Sequence, residues 1–181
     1  MLIAITGTPG TGKSCVSTIL RKLGYEVIDL NKISTEKFVI SIDRKRNSKI
    51  IDTNKLNRYV KENYAKKDTI FVEGHLSHLL KSVDKVIILR CHPNELKKRL
   101  TTKGWKTEKI SENVEAEILD IILCETIDLH PIKNVFEIDT TGKSIDDVSS
   151  SIKDMVKNKF KQMKKYNIGY IDWSEEALKD F

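Results

Sequence analysis

Apolar residues along this chain follow two rhythms. Residues 2–6, 69–73 (with I-F-V) and 85–91 (with V-I-I-L) are short continuous apolar runs, as expected of strands covered on both faces. Residues 26–30 and 135–139 predict two shorter strands. Between these runs the apolar positions fall three and four apart. Val16, Ile19, Leu20 and Leu23 predict a helix over 13–23, and Leu56, Tyr59, Val60 and Tyr64 another over 53–66. Gly24 is placed to end the first. Further helices are predicted over 93–100, with Pro93 in the first turn, over 111–129, with Ser111 as N-cap, and over 144–163. Ile152, Met155, Val156, Phe160 and Met163 would lay that last helix on the sheet and turn Lys157, Lys159, Lys161, Lys164 and Lys165 to water. Strands alternating with helices define an α/β protein with a parallel sheet and right-handed crossovers.

Two stretches fit this layering poorly. Residues 31–52 mix polar and apolar positions and carry Arg44-Lys45-Arg46, and residues 101–112 are polar around Gly104 and Trp105. Both fall between core elements, where substrate-closing segments are inserted and where weak surface segments also sit.

Composition narrows the class. The chain has 181 residues, 39% hydrophobic and 32% charged, which suits one soluble domain with a real core. No apolar run approaches the roughly 20 residues of a membrane helix. Met1 to Ile5 has no basic leader and runs into glycines, so it reads as a buried strand rather than a signal peptide, and a cytosolic location is expected. Cys15, Cys91 and Cys124 are dispersed and odd in number, which argues against a disulfide framework or a zinc site. The net charge of +6 suits polyphosphate ligands or RNA, and equally a lysine-rich solvated surface. Arginines, the better bidentate phosphate ligands, number six.

The chemistry is concentrated in Gly7-Thr8-Pro9-Gly10-Thr11-Gly12-Lys13-Ser14, a full match to G-x-x-x-x-G-K-[ST] between an apolar strand and an amphipathic helix. Glycines let such a loop wrap phosphate oxygens, and amides from Gly10 to Cys15 would form an anion nest at the positive end of the helix dipole. Lys13 would reach the β- and γ-phosphates of ATP, and Ser14 would coordinate Mg²⁺. Glu73 ends a predicted central strand, where a parallel sheet presents its ligand. It is a candidate to hold the Mg²⁺ shell or to orient an attacking group. His75 is placed either to position water or phosphate or to serve as an ordinary loop histidine, and His78 reads as structural. Arg90, at the end of V-I-I-L-R, is expected at the ligand edge as a catalytic cation, with Arg99 on the next helix as a second. The turn Asp139-Thr140-Thr141-Gly142 would frame a base or be a plain turn.

Beyond the loop, V-E-G-H-L-S-H-L, V-I-I-L-R-C-H-P-N-E-L-K-K-R-L, G-W-K-T-E-K-I-S-E-N-V-E-A-E-I-L-D and E-I-D-T-T-G-K-S extend a similarity over residues 1 to about 145. Together they resemble the adenylate kinase isoenzyme 6 family in its archaeal form, small P-loop nucleoside monophosphate kinases also implicated in small ribosomal subunit maturation. The resemblance implies one P-loop kinase domain over 1–181: a five-stranded parallel sheet flanked by helices, an NMP-binding segment at about 30–52, a short lid at about 102–112, and a basic C-terminal helix and tail over 144–181. It implies that Gly10, Gly12, Lys13, Ser14 and Cys15 bind the ATP phosphates. It makes Glu73 and His75 a Walker B-like catalytic pair, with Ser14 and Glu73 at the metal. Lys103 stands where relatives often carry an arginine that touches the nucleotide, and residues 31–52 depart most from the family pattern. The implied reaction is ATP + AMP ⇌ 2 ADP with Mg²⁺. A ribosome-assembly ATPase, gripping a small-subunit ribosomal protein or rRNA, is the other function the resemblance carries. Tyr170, Trp173 and Phe181, in the tail beyond the similarity, would fold back on the body or meet a partner.

Overall fold

The computed structural model describes residues 1–43, 48–65, 68–161 and 163–177. Five strands form one parallel sheet in the order β2-β5-β1-β6-β7: β1 (Leu2–Thr6), β2 (Glu26–Asp29), β5 (Ile70–Glu73), β6 (Lys85–Arg90) and β7 (Val135–Asp139). The three central strands are buried along almost their whole length, which is why they read as unbroken apolar runs. Helices cover both faces. α1 (Lys13–Lys22) and α7 (Ile145–Lys157) close one side, where Val16, Leu20, Ile152 and Met155 meet Ile3, Ile5, Phe71 and Ile87. α3 (Thr53–Tyr64) closes the other, packing Leu56 and Val60 on Leu2, Ala4, Val72 and Ile88.

The poorly layered stretch 31–52 resolves into α2 (Leu30–Lys37) and an antiparallel pair, β3 (Val39–Asp43) and β4 (Ser48–Ile51). Arg44-Lys45-Arg46 and Phe181 lie outside the described residues. Val39, Ile40, Ile42 and Ile50 are all exposed. With no buried face, this pair lacks the alternation that marks a half-buried strand.

The helix expected over 111–129 is two. α4 (Pro93–Thr102) is followed by a short turn, then by α5 (Thr107–Ile118) and α6 (Ile121–Leu129). Asp120 separates the last two with a left-handed backbone, φ 53°, and its carboxylate pairs with the Arg90 guanidinium. α7 begins on its Ser144 cap but stops at Lys157, because Lys159 and Phe160 turn left-handed at φ 52° and 58°. The packing expected of its apolar stripe survives: Phe160 still enters the core, delivered by the turn rather than by the helix. The five lysines expected to face water are exposed. Past them, α8 (Ser174–Ala177) belongs to a tail that folds back on the body. There Trp173 packs edge-on against His92, at 5.1 Å between ring centres, while Tyr170 is exposed. No helix among the described residues is long and apolar enough to cross a membrane.

Candidate functional site

Both central neighbours of β1 end at the same edge of the sheet, and the chain leaves β1 there through the glycine loop. Gly7 turns with φ +138°, and a Cβ built on it would lie 2.3 Å from the Leu89 carbonyl oxygen. The loop reaches this close to β6 only because residue 7 has no side chain. Gly7→Ala is therefore expected to cost about 2–3 kcal/mol and to weaken nucleotide binding. Denaturant unfolding beside a nucleotide titration checks both.

Gly12 caps α1 with a left-handed backbone and no side-chain acceptor, and the first turn of α1 holds no acidic residue. The opening amides of the helix are thus left for an anion. Lys13 is buried, and its ammonium donates to the carbonyl oxygens of Gly7 at 2.6 Å and Thr8 at 3.0 Å. Burial lowers this lysine to about 8, against the pull of Glu73 and Glu117 and with a further push down from Lys103. Glu73 is buried at the end of β5 and accepts the Ser14 hydroxyl at 3.5 Å. Burial raises its carboxyl above the usual range, while the Lys13 ammonium opposes the rise.

The loop is a wall between two cavities. One, of about 480 Å³, runs from Gly10, Gly12 and Cys15 to Arg99, Thr140 and Ile145, with Val16 and Val148 supplying apolar lining. The other, of about 640 Å³, gathers Lys13, Ser14, Glu73 and His75 with the turn and first half of α5 through Lys103, Trp105 and Lys109. Gly10, Gly12, Cys15 and Lys103 line both. The residues expected at the site from sequence, Gly10, Gly12, Lys13, Ser14, Cys15, Glu73, His75 and Lys103, therefore come together. His75 is exposed at the second cavity, and desolvation there, with Lys13, His78 and Lys109 nearby, lowers its imidazole. The donor set offered by Ser14 and Glu73 is hard oxygen and sparse. No cluster of three or more His, Cys, Asp or Glu that could hold a metal ion occurs among the described residues. Two hard oxygens, from Ser14 and Glu73, suit Mg²⁺, which takes a few protein oxygens and completes its shell from phosphates and water.

Arg90 departs from expectation. It ends β6 as read, but its side chain is only 2% exposed and turns into the protein. Its Nε donates to Glu117 at 2.7 Å, Nη1 to Glu137 at 2.5 Å, and Nη2 to Asp120. A guanidinium committed to three carboxylates has no free fork for a substrate, so the catalytic cation expected at residue 90 is instead an internal counter-ion. Those charges hold it above its ordinary range, against the effect of burial. Arg99 is also engaged, pairing with Glu95 and donating to the Thr140 carbonyl at 2.9 Å, yet it stays at the rim of the smaller cavity. Thr140, in the turn whose role was open, lines that cavity too. His78 is buried between Thr6 and Glu125, as a structural histidine would be.

Trp105, Lys109 and Asn31 at the larger cavity, and Glu117 beneath the loop, had no role assigned from sequence. Glu117 did leave a signal: Ile110, Val114 and Glu117 share one face of α5, so an acid occupies a core position of an apolar stripe.

A parallel sheet of order 2-5-1-6-7, a glycine loop capping the helix after β1, and a lysine folded under that loop define a P-loop protein of the nucleoside monophosphate kinase type. The family model described as an AAA domain matches residues 3–120. The chain belongs to that family, and also to a group of proteins named "Putative adenylate kinase". It is 41% identical to the Methanocaldococcus jannaschii protein, over 97% of this chain and 94% of the relative. It is 42% identical to the Archaeoglobus fulgidus protein, over 97% and 93%. Among solved structures, shikimate kinase from Acinetobacter baumannii in complex with shikimate superposes with a TM-score of 0.61 at 16% identity, covering 89% of this chain and 95% of that one. Thymidylate kinase from Candida albicans gives 0.54 at 15%, covering 87% and 91%. At such identities the two structures speak to the fold alone.

Proposed function

We propose that this protein is a Mg²⁺-dependent nucleoside monophosphate kinase of the adenylate kinase isoenzyme 6 type, a single P-loop kinase domain that converts ATP and AMP into two ADP. One observation carries the reading: the phosphate loop, with Lys13 beneath it, divides two cavities that share Lys103. A phosphoryl group passed between two nucleotides needs such a boundary, with a nucleoside on each side and the reacting phosphates at the wall. The relatives' shared name supports the same assignment.

ATP would lay its base against Val16, Ile145 and Val148 and its phosphates along the amides from Gly10 to Cys15. AMP would enter the larger cavity, with its phosphate facing Lys103 and Lys109 and its base near Trp105 and Asn31. Lys13 would turn from the Gly7 carbonyl to the β- and γ-phosphates while keeping the Thr8 carbonyl. The bond from the γ-phosphorus to its bridging oxygen breaks as one forms to an AMP phosphate oxygen, and Lys13 follows the charge as it moves. Mg²⁺, held through Ser14 and Glu73, would neutralise phosphate charge. His75, low in proton affinity, would orient the attacking oxygen. The turn after α4, within the expected lid, would close over both ligands and exclude water.

A specific feature favours a second reading. Near the larger cavity the cations are Lys13, Lys103 and Lys109, with no arginine among its described lining residues. A weakly held acceptor would let Glu73 and His75 direct water instead. The protein would then act as an ATPase, with the exposed lysines of residues 157–165 meeting a small-subunit ribosomal protein or rRNA. Free thiols at Cys15 and Cys124, both exposed, suit work in a reducing cytosol under either reading.

Purified protein with MgATP and each monophosphate in turn, followed by chromatography, decides between them. AMP-dependent ADP formation at two per AMP consumed is the expected result. ADP released equally fast without acceptor would replace the kinase by the ATPase. In the same assay His75→Ala is expected to slow turnover about 10- to 100-fold while leaving ATP affinity nearly unchanged. Unaltered turnover would return His75 to a structural role.

A further inference from the structure

Thr8 sits at a junction that the phosphate-loop pattern leaves unspecified. Its carbonyl oxygen accepts three hydrogen bonds: from the Lys13 ammonium at 3.0 Å, the Thr11 hydroxyl at 2.9 Å and the Thr11 amide at 3.2 Å. The position of this one carbonyl therefore sets the resting place of the Lys13 ammonium. Thr8 itself is 2% exposed, and its hydroxyl donates to Glu117 Oε2 at 2.5 Å. Glu117 comes from α5, more than a hundred residues along the chain, and is 2% exposed. Its other oxygen, Oε1, accepts from Arg90 Nε at 2.7 Å and from the Cys91 amide at 3.1 Å. The carboxylate is thus held by two donors, Arg90 Nε and the Cys91 amide, besides the Thr8 hydroxyl.

We infer that Glu117 is a positioning residue for phosphoryl transfer: through the Thr8 hydroxyl it fixes the Thr8 carbonyl, and thereby the position from which Lys13 meets the phosphates. Neither Glu117 nor Thr8 touches the reacting atoms in this role. The inference rests on the phosphotransfer reading of the site. The loop amides that hold ATP do not depend on the Thr8 side chain, so the bond matters for the rate and much less for affinity. Because α5 follows directly on the turn between the helices, closure of that turn bears on the same carbonyl.

The test compares Thr8→Val, which keeps the shape and loses the donor, with Thr8→Ser, which keeps the donor and loses a methyl. The readouts are total ADP release from MgATP, with and without AMP, and the dissociation constant for MgATP by calorimetry. Thr8→Val is expected to lower kcat at least tenfold with the dissociation constant within about threefold of wild type, and Thr8→Ser to restore kcat to within about threefold. If Thr8→Val does not fold, Thr8→Ala removes the same donor and is judged by the same criteria. A donor-free variant with wild-type kcat overturns the inference, as does Thr8→Ser falling as far as Thr8→Val, because packing would then be what matters. Absence of wild-type turnover sinks the phosphotransfer reading and this inference with it. A wild type that turns over, matched by its donor-free variant, sinks the inference alone.

Discussion

Lys13→Met is expected to lower turnover by about 10³-fold or more while leaving the protein folded and, at neutral pH, more stable than wild type. The kinetic loss follows from phosphoryl transfer being catalysed by position and charge, so one well-placed cation can be worth that factor. The stability gain follows from burial. In the free protein the Lys13 ammonium has two carbonyl partners and two carboxylates in its field, yet desolvation prevails and lowers it to about 8 from an ordinary 10.5. Between those values the unfolded chain binds the proton that the folded chain releases, so wild-type stability rises with pH across that window. Below about 8 the fold bears the full burden of the buried charge, and Met, of similar volume, removes it. Melting temperatures of both proteins from pH 6 to 10.5 check the sign. The advantage of Lys13→Met should be greatest at the acid end and shrink as pH passes 8. A gap that stays constant would mean that the ammonium is not the source.

Arg90→Met should produce the largest loss of stability, about 3–5 kcal/mol, which is roughly 10 °C in melting temperature for a domain of this size. Removing the guanidinium leaves Glu117 and Glu137 buried, both 2% exposed, with Asp120 beside them and no cation to answer them. Arg90→Lys should rescue little, because one ammonium cannot reach three carboxylates held by a planar fork. Thermal denaturation measures the loss. A drop of only a degree or two, joined to a large loss of kcat, would restore Arg90 to the catalytic role its strand-end position first suggested.

That contrast marks where sequence reading succeeded. The central strands were legible because a parallel sheet covered on both faces leaves them no polar alternation. The phosphate loop was legible because glycines 7, 10 and 12 and Lys13 answer one local requirement. Glu73 followed from its place at a strand end. Part of what stayed hidden depends on partners far along the chain, and part on local features that leave no pattern. The left-handed Asp120 interrupts what reads as one continuous helix, and its carboxylate pairs with Arg90, thirty residues earlier. Arg90 turns inward because Glu117 and Glu137 wait there, which no pattern within β6 reveals. The β3–β4 pair has apolar residues exposed at Ile40, Ile42 and Ile50, so it carries no inside-outside rhythm to read. α7 stops at left-handed Lys159 and Phe160, where neither residue type announces a break.

Everything proposed for the site depends on the glycine bend and its lysine gripping the phosphates of a nucleoside triphosphate. Isothermal titration of the folded wild-type protein with MgATP addresses that grip without assuming any acceptor or rate. The account requires saturable heat at one nucleotide per chain. Titration of well-folded protein with no heat of association for either MgATP or MgGTP at any workable temperature would contradict it.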